Sequence, residues 1–371
     1  MTEEPASRVG ETSQERHQYL LPVLHLTIDC LWQIGPVQLH PAGSTFSLVN
    51  REREKRGWRH DWYDDHLDEH EVAELDSGTV ALVEAADGRA AYDLVSDAIG
   101  VLRLFQPTRS PMADVESQTF GLAGEVEQWR ASYLRLDSGP AASWFHGGAH
   151  PGWTFTGEDY EAFVSDHGWQ FLAGSIEPAG RDITPIEARL RLGSRLLNAA
   201  FLDYDADRKL LSLMTAIEVV LGESAWRTKK YGLARRAAFL SCSVPQNSMC
   251  GRDRNACPYL ALRVNSDGGA QRALGEFVRR ARRDSRVQCS RYLEFLRFYE
   301  ARNAAIHGGT SGLTFDDVKG LSWRVNQWLV PRLLVWSAEH PAGDIGAIEE
   351  DIATAVANRP PAPIPPDEST G

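Results

Sequence analysis

The residues with the clearest potential for chemistry lie in one stretch, Tyr292 to Gly309. Its apolar residues recur at spacings of three, four and seven, which predicts an amphipathic helix that ends at the glycines after His307. Asn303 and His307 are four residues apart and share a face, while Arg302 lies about 100° around from Asn303. The predicted apolar positions are Leu293, Leu296, Phe298, Tyr299 and Ile306. The spacing therefore predicts that a guanidinium, an amide and an imidazole converge at one helix end.

These three side chains have the properties that phosphate chemistry needs. An arginine supplies a permanent planar charge that fits a phosphate, a histidine gains or loses a proton near neutral pH, and an asparagine orients either group. Metal-free RNA cleavage needs the same properties, because the 2′-OH must lose a proton and the leaving 5′-oxygen must gain one. A structural alternative is that Arg302 and His307 cap the last carbonyls of the helix.

The order of these residues resembles a known motif. Arg302, Asn303, three further residues, His307 and two glycines resemble the R-x4-6-H motif of the HEPN superfamily, in which a polar residue commonly follows the arginine. Upstream, Arg208 to Glu223 and Lys229 to Leu240 resemble the preceding helices of the Apea-like HEPN family, in which a glutamate lies inside the first long helix. That glutamate would be Glu218. The resemblance covers roughly Ile186 to Pro341.

The resemblance implies a fold and an activity. The fold would be an α+β N-terminal domain followed by an all-α HEPN-like helical bundle, and the activity that of a metal-independent endoribonuclease without a cofactor. HEPN ribonucleases act as homodimers in which two motifs face each other, so each subunit would lend one His307. In that arrangement His307 is the general acid or base, Arg302 holds the scissile phosphate, and Asn303 orients either group.

The resemblance also implies a biological setting. It points to bacterial antiviral defence or a toxin-like role, with RNA as the partner and a structured substrate such as transfer RNA. The N-terminal domain is then the candidate sensor of a phage-derived or protein trigger. A second interpretation of the sequence is a non-catalytic HEPN-like dimer that binds a nucleotide, an RNA or a protein partner.

Two residues are candidates for supporting roles. Glu218 either fixes Arg302 from a neighbouring helix through a bidentate pair or is an exposed residue on a core helix, because carboxylates are rarely buried without a partner. Tyr299 lies one turn before Asn303 on the same face, where it either stacks on a base or packs in the dimer, and packing is favoured.

The charge distribution favours a nucleic-acid partner for one part of the chain. The whole chain has a net charge of −12, but residues 201–300 carry 18 Lys plus Arg against 11 Asp plus Glu, a local balance of +7. A basic cluster on one domain is typical of an RNA or phosphate partner, although either basic run alone is also typical of a solvated helix face. The densest run is Arg279, Arg280, Arg282, Arg283 and Arg286; the second run, the predicted RNA-binding set, is Lys229, Lys230, Arg235 and Arg236.

A third interpretation, zinc catalysis, comes from one short pattern. His66, Glu69 and His70 spell H-x-x-E-H, in which two helical histidines bind zinc and the glutamate acts as base. The pattern lies in an acidic stretch with no apolar face, whereas a metalloprotease site normally rests on a packed helix. The sequence therefore disfavours a zinc site there.

Composition predicts a cytoplasmic protein without a membrane partner. No apolar run reaches membrane-spanning length, and the first residues are acidic and polar, without the features of a secretory signal. The five cysteines are odd in number and scattered, which favours a reducing compartment. Cys242, Cys250 and Cys257 cluster, but they form no C-x-x-C pair and have no histidine nearby, so free thiols are predicted.

Apolar periodicity divides the chain into two predicted domains and two tails. Residues 1–17 form a flexible tail, 18–180 the α+β domain, 186–341 the helical domain and 342–371 a Pro-rich tail. Strands are predicted within 18–50, 79–84, 115–122 and 125–136. Helices are predicted at Arg89–Phe105, Asp159–Leu172, Glu187–Leu202, Asp205–Leu221, Thr228–Leu240, Gln271–Arg283, Val287–His307 and Phe315–Ser337.

Overall fold

The structure is a computed structural model, and it describes most of the predicted helices and strands. The described residues are 15–55, 57, 78–109, 120–122, 125, 134–136, 152–177, 181–222, 229–241, 290–342, 347–348 and 350–351. Several predictions fall outside them: the H-x-x-E-H pattern of His66, Glu69 and His70, the cluster of Cys242, Cys250 and Cys257, the helix Gln271–Arg283, and the arginine run from Arg279 to Arg286.

The chain divides into two compact units. One contains Met1–Ile99 and Gln118–Tyr160, and the other contains Gly100–Ser117 and Glu161–Gly371. The predicted domain boundary near residue 180 differs from this division, since residues 100–117 and 161–180 belong to the second unit. Two helices, Gly88–Arg109 and Gly157–Ser165, contribute residues to both units.

The first unit is built on a mainly antiparallel sheet. Its strands are β1 (His17–Leu24), β2 (Leu26–Ile28), β3 (Trp32–Ile34), β4 (Val37–His40), β5 (Thr79–Ala85), β6 (Gly121–Leu122), β7 (Leu134–Arg135) and β8 (Trp153–Phe155). The strand order is β3-β4-β5-β1-β6, β7 also pairs with β1, and β2 pairs separately with β8 in parallel. Gly35, at φ +55°, makes the tight turn between β3 and β4.

One face of this sheet packs against a helix that the apolar periodicity did not predict. Helix α1 (Thr45–Lys55) begins within the segment where strands were predicted, up to Asn50. Its Leu48 and Val49 are buried in a cluster with Leu20 of β1 and Val80 of β5. The strand predicted at 79–84 is confirmed as β5, and parts of the two later predicted strands are confirmed as β6 and β7.

The second unit is helical. After α2 (Gly88–Arg109) and α3 (Gly157–Ser165), which both cross the division between the units, the helices are α4 (His167–Gly174), α5 (Pro185–Leu202), α6 (Ala206–Leu221), α7 (Lys229–Ser241), α8 (Ser290–Gly308), α9 (Phe315–Arg324) and α10 (Val330–Glu339). The predicted single helix Asp159–Leu172 is two helices, because Asp166 caps α4 by accepting hydrogen bonds from the amides of Gly168 and Trp169.

Capping residues set several of these boundaries. Thr184 and Glu187 form a capping box at the start of α5, Asp205 caps α6, and Thr314 forms a second capping box at α9. Helices α5 and α6 pack closely because Gly193 of α5 has no side chain to meet Val220 of α6. Helix α6 also packs against α7, α8 and α9, so it is central to the second unit.

A π-helical turn separates α9 from α10. The sequence predicts one helix from Phe315 to Ser337, but Val325–Leu329 is a π-helix in which the Val330 amide donates to the Val325 carbonyl. Pro331 follows directly and has no N–H with which to continue the regular hydrogen bonding. The wider π turn accommodates the absence of an N–H at Pro331, and the helix then continues as α10.

The predicted order of an α+β region followed by a helical region is therefore confirmed at the level of secondary structure. Among the described residues, every helix is too short or too polar to cross a lipid bilayer.

Candidate active site

Helix α8 positions the motif by burying one side of its sequence. Leu296, Phe298 and Tyr299 are buried, as their spacing predicts, and α8 packs against α6 and α7. Ile306 was predicted on the same apolar side, but that prediction is wrong, because its side chain is 49% exposed. It lies in the last turn of α8 beside the exposed His307.

Arg302 is held by an ion pair to the neighbouring helix. Its Nη2 donates to Oε2 of Glu218 on α6 at 2.9 Å, and only 17% of the Arg302 side chain and 8% of the Glu218 side chain are exposed. Of the two predicted roles for Glu218, the structure shows an ion pair with Arg302 and not an exposed residue, although the contact joins Nη2 to Oε2 and is not the predicted bidentate one. The pair joins α8 to α6 through a contact between side chains that are distant in sequence.

Asn303 is oriented by the same arginine. Arg302 Nη1 donates to Asn303 Oδ1 at 2.9 Å. Because a guanidinium only donates hydrogen bonds, the amide oxygen must face Arg302 and the Nδ2 group must point elsewhere. Glu218, Arg302 and Asn303 thus form a continuous polar chain, which ends in an amide donor.

The Tyr299 ring packs beneath the polar chain of Glu218, Arg302 and Asn303 and does not lie on the protein surface. The Arg302 guanidinium carbon lies 5.6 Å from the centre of the Tyr299 ring. Burial raises the pKa of the Tyr299 hydroxyl, the Glu218 carboxylate raises it further, and the Arg302 charge opposes the rise. Both predicted roles of Tyr299, base stacking and dimer packing, need an exposed ring, and the structure instead buries it within its own chain.

His307 occupies the exposed end of α8. The helix ends as predicted, with Gly309 at φ +83° and its amide donating to the Ala305 carbonyl at 3.0 Å. No hydrogen bond or ion pair to the His307 imidazole is found within the described part of the chain. The alternative that His307 caps the last carbonyls of α8 therefore gains no support there.

The three motif residues do not converge on one point within a single chain. Helical geometry places His307 about 40° around the axis from Asn303 but about 140° from Arg302. The guanidinium faces α6, while the imidazole faces solvent. The amide of Asn303 lies between these two directions.

The predicted RNA-binding set needs one correction. Lys229, Lys230 and Arg235 lie on α7, but their side chains are outside the described residues. Arg236 is fully buried, so its guanidinium is not available to an RNA at the surface. The spacing of Arg236 from Leu233 and Leu240, which are also buried, was the signal that it lies on the inner face.

One polar contact near the motif had not been predicted. Oδ1 of Asp207, in the first turn of α6, accepts a hydrogen bond from the Ser311 amide at 3.0 Å. Hydrogen bonds from the Ser311 side chain and amide lower the pKa of Asp207, and the Thr310 side chain adds to this. Asp207 thus binds the loop that follows His307.

Metal ligation receives no support from the described residues, in which no group of three or more histidine, cysteine, aspartate or glutamate side chains is placed to hold an ion.

Comparison of the chain with protein-family models, curated proteins and solved structures finds no match. The resemblance to HEPN proteins therefore rests on the residues and their spacing.

Proposed function

We propose that the protein is a metal-independent endoribonuclease of the HEPN type. The observation that carries the proposal is the polar chain from Glu218 through Arg302 to Asn303, on a helix that ends in the exposed imidazole of His307. An exposed imidazole is suited to proton transfer at neutral pH, and a fixed amide donor is suited to a phosphate oxygen.

The proposed reaction is transfer of the phosphoryl group within the RNA. The 2′-oxygen attacks phosphorus and gives its proton to a neutral imidazole, while the bond from phosphorus to the 5′-oxygen breaks and that oxygen takes a proton from an imidazolium. The products are a 2′,3′-cyclic phosphate and a 5′-hydroxyl. One imidazole does not fill both roles in one step, so the proposal includes a homodimer in which each chain supplies His307.

Within this proposal Arg302 acts mainly through its position. Glu218 already balances its charge and most of the guanidinium is covered, so it approaches a phosphate only over its exposed edge. Its second task is to hold Asn303 Oδ1, which turns the Nδ2 donor away from Arg302, and Asn303 itself lies on the helix face that it shares with His307.

The wider setting remains part of the proposal. The HEPN resemblance supports bacterial antiviral defence or a toxin-like role, with RNA such as transfer RNA as the substrate. The first unit is then the candidate sensor of a trigger. It would keep the ribonuclease inactive until the trigger binds.

One observation favours a second function, that of a non-catalytic module that binds RNA, a nucleotide or a protein. A guanidinium whose charge is already balanced by a buried carboxylate stabilises the additional negative charge of a phosphorane less than a free one, which favours binding without catalysis. A binding module would use the exposed end of α8 without proton transfer.

The test is cleavage of total cellular RNA by the purified full chain in EDTA. Wild type should leave 2′,3′-cyclic phosphate ends, and His307→Ala should cut about a hundred- to ten-thousand-fold more slowly. His167→Ala is the matched control, because His167 is also an exposed histidine on a helix of the second unit. Undiminished cleavage by folded His307→Ala would refute the assignment, and RNA binding without cleavage by wild type would favour the binding module.

A further inference from the structure

Both ends of the candidate site are attached to one helix. Glu218 and Asp207 lie at opposite ends of α6, about three turns and roughly 16 Å apart, and helical geometry places them within about 20° of the same face. Glu218 binds Arg302 on α8, and Asp207 binds Ser311 beyond the end of α8. The segment that carries His307 lies between these two attachments.

The second attachment orders a glycine-rich loop. Asp207 accepts from the Ser311 amide at 3.0 Å, and the loop is closed by hydrogen bonds from the Gly312 amide to Thr310 Oγ1 and from the Leu313 amide to Ser311 Oγ. Gly309 and Gly312 adopt φ values of +83° and +68°, which glycine adopts without strain. Without an external contact, a loop of this composition would have many conformations.

His307 lies in the helical turn directly before this loop. Its side chain is exposed, and the described part of the chain supplies no hydrogen bond to its imidazole. The position of the ring therefore follows from the backbone of its helical turn. That backbone lies in the last turn of α8, where only Gly309 and the loop follow.

We propose that Asp207 is a positioning residue for His307, so that α6 holds the site at two points: Glu218 fixes Arg302, and Asp207 fixes the helix end that presents the imidazole. The inference rests on the proposed function, because it assigns a task in proton transfer to a contact in the fold. Misplacement of a reacting group by about 1 Å can lower a rate by up to a hundredfold. Loss of Asp207 should therefore lower kcat and leave KM nearly unchanged.

The variants are chosen to separate position from charge. Asp207→Ala removes both the acceptor and the charge, whereas Asp207→Asn keeps an oxygen that accepts from the Ser311 amide. Asp316→Ala is the matched control, because Asp316 is the second residue of α9 as Asp207 is of α6, and it is exposed. Both acids interact similarly with a helix N-terminus, so the control removes that contribution from the comparison.

The first measurement is the kinetics of RNA cleavage. Asp207→Ala should lower kcat about tenfold with KM within about twofold, and Asp207→Asn should restore most of the rate. Asp316→Ala should behave as wild type. A kcat of Asp207→Ala equal to that of wild type would overturn the inference, as would an equal loss in Asp207→Asn and Asp207→Ala.

The second measurement needs no activity. Amide hydrogen exchange at Ser311 and Gly309 should quicken about tenfold in Asp207→Ala, with no change at the buried Phe298. The imidazole resonance of His307, assigned by its loss in His307→Ala, should shift. Unchanged exchange and an unchanged resonance would overturn the inference even in a protein that cuts no RNA. Absence of cleavage by wild type would instead count against the proposed function alone.

Discussion

Removal of the Glu218 charge should destabilise the second unit. Glu218→Gln keeps the shape of the side chain but leaves the Arg302 guanidinium without its carboxylate partner. In the wild type the Nη2 to Oε2 distance is 2.9 Å, and the side chains are 17% and 8% exposed for Arg302 and Glu218. The positive charge of Arg302 would therefore be mostly shielded from solvent and without an ionic partner.

The burial of the pair sets the size of the effect. Removing one partner of a fully buried pair costs about 3–5 kcal/mol, whereas an exposed pair contributes about 0–1 kcal/mol. Arg302 keeps some exposure and its hydrogen bond to Asn303, so Glu218→Gln should lower the free energy of unfolding by about 2–3 kcal/mol. The pKa of Tyr299 should fall as well, because Glu218 is one of the groups that raise it.

Urea unfolding followed by circular dichroism measures the change. The shift in midpoint multiplied by a shared m value gives the difference in free energy. Glu339→Gln is the control, because this carboxylate is exposed on α10 of the same unit, and its loss should change stability by less than about 0.5 kcal/mol.

A double variant tests whether the two charges are coupled. Glu218→Leu combined with Arg302→Leu should recover most of the stability lost in either single variant, because no unpaired charge remains. The reasoning would be refuted if Glu218→Gln lost less than about 1 kcal/mol, or if the double variant lost the sum of the single losses.

Two further predictions concern packing and pH. Gly168→Ala should lower the free energy of unfolding by about 1–2 kcal/mol, although alanine has the better helix propensity, because the new Cβ would lie 2.8 Å from the Val335 amide nitrogen. Gly174→Ala is the control, because its Cβ would meet no atom within 4 Å. In thermal unfolding the control should be as stable as wild type or more stable. Hydrogen bonding from Arg181 lowers the pKa of Glu187 from 4.5 to about 2, so this pair stabilises fully above about pH 4.5 and loses its effect as the pH falls towards 2. Glu187→Gln should therefore lower the free energy of unfolding by about 1–2 kcal/mol at pH 7 and by almost nothing at pH 2. The value at pH 7 is small for such a pKa shift because the Arg181 side chain is 49% exposed to solvent. An equal loss of stability at both pH values would contradict this.

The sequence predicted local features of the site well. Periodicity located α8, the glycines located its end, and the positions of Glu218 and Arg302 on two long helices followed from the same reasoning. It left open whether Glu218 is paired, because pairing depends on how α6 packs against α8. Asp207 and Ser311 are 104 residues apart in the sequence, so no local sequence pattern predicts their contact.

Two errors concern the exposure of a side chain on a helix. Ile306 has the spacing of a buried residue, but it lies in the last turn of α8 and its side chain is 49% exposed. Arg236 belongs to a basic run that suggests a surface, but its spacing from Leu233 and Leu240 places it on the buried face of α7. In both cases the environment of the helix, and not the residue type, decides exposure.

The pairing of β1 has a consequence for synthesis of the chain. This first strand lies inside its sheet, with β5 on one side and β6 on the other, and β6 follows about 100 residues after it. During translation one edge of β1 therefore stays unpaired until β6 has been made, and β6 follows α2, whose last residues already belong to the second unit. Synthesis of the second unit therefore begins before the sheet of the first unit has all of its strands.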